Sequence, residues 1–153
     1  MSKKISYKGT LPIGLEDKIS LRTINGKTGY KITKFQIIGT APGTANAEYI
    51  AKVTKVKDTN ISSTINFTDA DLLAVAYLQE NTSTAVPTSE TIIFDNEKFN
   101  QDIFINITDA SGGTQPCNYY IELEVMDLSD VETTMLTLQS LRTIASQWVN
   151  NII

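Results

Sequence analysis

The chain has 153 residues, 41% of them hydrophobic and 20% charged, a make-up that fits one folded domain with a core of its own. A formal net charge of −4 argues against a broad phosphate-binding face, which needs a surplus of lysine and arginine. Histidine is absent and Cys117 is the single cysteine. The commonest neutral-pH general base, the usual zinc ligand, the standard Ser and Cys triads and an internal disulfide are thereby excluded.

The start of the chain, Ser2 to Pro12, is polar and extended, and reads either as an edge strand or as an arm (residues 1–12) that adds to a neighbour's sheet. Met1 to Tyr7 lacks the apolar stretch of a signal peptide, and no apolar run approaches the roughly 20 residues of a membrane span. The expectation is a protein made in a cytosol that stays there or leaves inside a particle. Lys18 to Ile24 alternates with period two and is followed by Asn25-Gly26, a hairpin signal, with Tyr30 to Ile38 as the return strand. A loop from Gly39 to Asn46 leads into a strand from Glu48 to Lys57, and Ile61, Ser63, Ile65 and Phe67 continue the alternation. Asp71 to Leu78 has the Leu and Ala content of a helix but the length of a buried strand, and length decides for the strand. After the turn-rich stretch Glu80 to Ser89 come strands at Thr91 to Asp95, Asp102 to Thr108 and Asn118 to Met126. Ile103, Ile105 and Ile107 share one face of the second, and Tyr119, Ile121, Leu123 and Val125 one face of the third.

At the C-terminus the pattern changes. Ser129 and Glu132 match a capping box, and from Asp130 onward there is neither Gly nor Pro. Val131, Met135, Leu138, Leu141, Ala145, Trp148 and Ile152 recur at steps of three or four, which predicts an amphipathic helix of roughly 30 Å. The expected fold is all-β, an antiparallel β-sandwich or jelly-roll-like domain over residues 1–128, with one C-terminal helix over 129–153. The stripe can either close a face of its own sandwich or meet a partner; the seven apolar helix residues are the candidate interface, because a four-three alternation is that of a helix seam and termini seldom carry Trp and paired Ile unless something covers them.

Other candidates are weaker. Lys3 and Lys4, and Lys52, Lys55 and Lys57, are small basic groups that read as solvated faces. Asp69-Ala-Asp71, Asp95-Asn-Glu97 and Asp109 lack the spacing of a calcium loop and have the composition of strand-connecting turns. Glu122 and Glu124 alternate with apolar residues, as on the solvent face of a half-buried strand rather than as a glycosidase pair. Cys117 is read as a buried or half-buried thiol. No phosphate loop, dinucleotide fingerprint, nucleophile elbow or zinc spacing occurs. The expectation is a protein that is not an enzyme and has no catalytic residue, cofactor or metal.

Tyr7–Gly14, Gly29–Gln36, Asn118–Glu124 and Leu136–Arg142 together resemble stretches of small virion structural proteins encoded by marine tailed bacteriophages. That resemblance implies a β-sandwich on the capsid exterior, a decoration or cement protein that clamps neighbouring major capsid proteins. It also implies self-association, commonly as a trimer; the acidic charge balance and the lack of a long apolar run add the expectation that neither nucleic acid nor membrane is a partner. The alternatives are a tail, fibre or head–tail junction component, or a glycan-binding sandwich using the Gly39–Asn46 or Glu80–Ser89 loops.

Overall fold

A computed structural model describes residues 3–43, 46–80, 88–94 and 97–152, the stretch 143–152 by backbone alone. Eight strands and a helix follow in order among the described residues: β1 (Lys3–Leu11), β2 (Glu16–Ile19), β3 (Thr28–Gly39), β4 (Ala47–Thr54), β5 (Leu72–Glu80), β6 (Thr88–Ile93), β7 (Ile103–Asp109), β8 (Cys117–Asp127) and α1 (Asp130–Ile152). The strands form two antiparallel sheets, ordered β1-β8-β3 and β2-β7-β4-β5-β6, packed face to face as a sandwich.

Early strands lie beside late ones: β1 pairs with β8, and β2 with β7. This nesting is the jelly-roll order, with one departure, since β6 stays beside β5 as an edge strand of the larger sheet. The core lies between the sheets, where Phe35, Tyr49, Val53, Leu73, Ile103, Ile105, Ile107, Ile121 and Leu123 are all but fully buried. In β8 the alternation is clean, with Tyr119, Ile121 and Leu123 inward and Asn118, Tyr120, Glu122 and Glu124 outward. A register shift in β3 between Ile32 and Lys34 leaves Thr33 out of the ladder, and its hydroxyl bonds the Glu122 carbonyl and carboxylate, each at 3.2 Å.

β5 is buried along both faces of its first half, which explains why its sequence lacks alternation. The larger sheet is covered outside as well as inside. The connection from Lys55 to Asp71 folds over the outer face of β4 and β7, where Lys52 Nζ donates to the Thr64 carbonyl at 2.8 Å and Ser63 Oγ to Thr108 Oγ1 at 3.0 Å.

Three expectations are corrected. Ile61 to Phe67 is not a strand: Asp58, Ser62, Asn66 and Asp69 side chains accept from the backbone amides of Asn60, Thr64, Thr68 and Asp71, so local turns satisfy groups that a ladder would need. Asn25-Gly26 does not close a hairpin. β2 ends at Ile19, and the amides of Leu21 and Arg22 then bond Asp102 Oδ1 at 2.8 and 2.9 Å instead of a neighbouring strand. The turn, with Gly26 at φ 66°, carries the chain from one sheet to the other. β4 stops at Thr54, short of Lys57, because Lys55 leaves the β7 ladder and its amide bonds the carbonyl of Asp71.

Candidate functional site

α1 leaves β8 after a two-residue link in which Leu128 is buried. Leu128 fits the space left by Gly29: a Cβ at that glycine would lie 2.5 Å from Leu128 Cδ2. Ser129 caps the helix, its Oγ accepting from the Glu132 amide at 3.2 Å. As in a capping box, Glu132 turns back on the cap: its carboxylate is held by the Ser129 backbone and accepts from the Ser129 hydroxyl at 3.2 Å and from Lys98 at 3.1 Å. The Lys98 bond is the main reason its carboxyl sits below the ordinary value. Lys27 pairs with Asp130 at 3.6 Å. Asn100, 1% exposed, donates from Nδ2 to the Gly26 carbonyl at 3.0 Å and to Thr137 Oγ1 at 3.1 Å.

The attachment is therefore mostly polar, and it fixes which way the helix faces. Thr133, Leu136, Thr137 and Ser140 are half-buried toward the sandwich. Val131 is 69% exposed, Met135 and Leu138 55% and Leu141 58%. An amphipathic helix on a self-sufficient domain turns its apolar stripe inward; this one presents it outward. Residues 145, 148 and 152 continue the stripe along the same helix, but the side chains of Ala145, Trp148 and Ile152 lie outside the described residues. Two clefts flank α1. One, of about 340 Å³, is lined by Lys55, Asp71, Glu97, Leu136 and Arg142 among others. The other, of about 290 Å³, is bordered by Ile24, Gln101, Thr137 and Leu141, and Ile24 is fully exposed there.

The remaining candidates sit in local structural networks. Glu122 and Glu124 lie on the outer face of the smaller sheet, opposite lysines: Lys4 and Lys31 register with Glu124, Lys34 registers with Glu122, and Lys4 reaches Glu122 at 3.4 Å. Partial burial would raise the Glu122 carboxyl, but bonds from Thr33, Lys4 and Tyr120 hold it low. Lys52 is buried, and Lys55 pairs with Glu97 at 2.8 Å, so these lysines form no basic stripe. Asp109 Oδ1 receives the Ser111 amide and hydroxyl and the Glu48 amide, a turn arrangement. Asp69 and Asp71 share a turn, and Asp95 lies outside the described residues, as do 44–45 and 81–87 of the two loops. Among the described residues no three acidic or cysteine side chains converge as a metal site, and no helix is long and apolar enough to cross a membrane. Cys117 is fully buried, its thiol pushed up to about 12 by burial and then by Glu80.

Sequence reasoning located the helix stripe but not its direction, and it passed over Asn100 and Ile24. The signal for direction lay in the opposite face, where Thr133, Thr137 and Ser140 recur at helical spacing with small hydroxyl side chains suited to a polar contact. Compared with known protein families and with curated proteins, the sequence matches none.

Proposed function

We propose that the chain is a non-enzymatic structural protein that acts by assembly, as a decoration or cement protein on the capsid of a bacteriophage. The observation that carries the reading is the outward apolar face of α1, an exposed patch of the kind that marks an interaction surface. The jelly-roll order supports it by analogy alone, since that architecture occurs in viral capsid and lectin domains. The bacteriophage assignment rests on the four resembling stretches, Tyr7–Gly14, Gly29–Gln36, Asn118–Glu124 and Leu136–Arg142. The action is adhesive. Apolar burial repeated over many copies adds contacts across boundaries between capsid proteins, with a standard interface of about 1,600 Å² sufficient for each.

The test is to mix the purified chain with capsid shells and, separately, with tails of the same phage. Saturation in a fixed ratio to the major capsid protein supports decoration. Binding confined to tails moves the chain to a tail or head–tail junction role, and binding to neither overturns the virion reading.

A further inference from the structure

We infer that the outward face of α1 is covered by the same face of a second copy of this chain, helix against helix. The inference rests on reading α1 as an assembly surface and names its occupant. Val131, Leu138, Ala145 and Ile152 fall seven residues apart, with Thr134, Leu141 and Trp148 midway, so one continuous seam runs over three heptads, about 33 Å of helix. Thr133, Leu136 and Ser140 are half-buried toward the sandwich, Thr137 is held by Asn100 at the seam's flank, and Val131, Met135 and Leu138 stay exposed.

The charge pattern selects the occupant. In helix seams, charged residues flanking the apolar row choose the partner and reject like copies. Beyond the first turn, the flanking positions are Met135, Arg142 and Val149 on one side and Thr137, Ile144 and Asn151 on the other, with Arg142 their single charge; Asp130 opens the second row. Glu132 and Asp130, the remaining charges of α1, are held by Lys98 and Lys27. In a parallel pairing Arg142 of one helix lies across from Thr137 of the other, so no like charges meet, and no block of charge asks for a complementary one. The polar residue in the seam does not oppose burial either, because the Thr134 hydroxyl is already bonded to the Asp130 carbonyl at 2.9 Å. Ile24, exposed beside Leu141, widens the apolar area at the flank.

The experiment uses the full chain. Sedimentation equilibrium should show concentration-dependent self-association, and the double substitution Leu138→Glu with Leu141→Glu should weaken it roughly 100-fold or more while circular dichroism stays unchanged, as expected for exposed positions. A second readout does not depend on that variant. Leu141→Cys, near the seam's middle, should form an intermolecular disulfide under mild oxidation, whereas Gln139→Cys, off the seam, should not; Cys117 is buried and does not compete. A wild-type chain that stays monomeric at all concentrations overturns the inference, as does self-association that survives the glutamates. A monomer that still saturates capsid shells removes the seam and leaves the decoration role. A self-associating chain that binds no shell does the reverse.

Discussion

The Asn100 side chain and the Thr137 hydroxyl, 37 residues apart, meet at 3.1 Å and join the sandwich to its terminal helix. Because Asn100 is 1% exposed and also holds the Gly26 carbonyl at 3.0 Å, its amide ties both the turn before β3 and the second turn of α1 to one point. Asn100→Ala leaves the Gly26 carbonyl without this donor. The expected cost is about 1–3 kcal/mol, seen as a lower urea midpoint at an unchanged slope. Faster amide exchange in Thr133–Ser140 than in β8 should accompany it.

Asp102 gives an acid limb with a definite sign. Burial alone would raise its carboxyl, but the Arg22 and Leu21 amides and Lys18 outweigh burial and hold it below 3.8. A carboxyl depressed in the folded state contributes stability that is present above its unfolded value and lost as pH falls through the folded one. Asp102→Asn should therefore cost about 1 kcal/mol near neutrality, with the gap to the wild type closing below about pH 4. Thermal midpoints of the two proteins measured across that range provide the check.

The alkaline limb runs the other way. Cys117 is pushed from 9.0 to about 12, and Tyr49 and Tyr119 from 10.0 to about 12, in each case mainly by burial. The folded protein keeps these protons where the unfolded chain releases them. Their contribution is intact below pH 9 and drains away between 9 and 12, at up to about 1.4 kcal/mol per pH unit for each group. Cys117→Ala should make the decline shallower. In the native protein the thiol should resist alkylation at neutral pH and react fully once the chain is unfolded.

Gly9 faces the Tyr119 ring so closely that an added Cβ would lie 2.8 Å from its hydroxyl and 2.9 Å from ring carbons. The ring has little room to give, since Tyr119 Oη donates to Asp17 Oδ2 at 3.1 Å and ties β8 to β2 of the opposite sheet. Gly9→Ala should cost about 1–3 kcal/mol. Tyr119→Phe alone should cost about 1 kcal/mol through the lost bond. The double mutant should be more stable than the two single costs added together, because removing the hydroxyl relieves the nearest contact.

These relationships mark what was legible in the sequence. β7 and β8 were plain because a period of two survives wherever one strand face is wet or polar. β5 needed an argument from length, being covered on both sides. The strand expected at Ile61–Phe67 failed because its Asn, Ser and Asp residues bond their own backbone, a competition that apolar spacing does not display. Asn25-Gly26 is a true turn that joins the wrong partners for a hairpin, a consequence of Asp102, roughly 80 residues later, taking the amides of Leu21 and Arg22. For the helix, extent and stripe were read from the apolar spacing, while direction was carried only by the small hydroxyl residues of the other face. Direction is set by Asn100, Gly26 and Lys98, none of them local to α1.

The central place of β8 in its sheet bears on how the protein would carry force. β8 runs directly into α1, and it is hydrogen-bonded along Lys3–Leu11 of β1 on one side and Thr28–Gly39 of β3 on the other. These bonds lie across the strand direction. A pull on α1 along β8 therefore meets two ladders in shear, whose bonds must yield together, whereas a pull on an edge strand would peel one ladder bond by bond. The helix that offers the contact surface is anchored in the part of the fold best arranged to resist being drawn out.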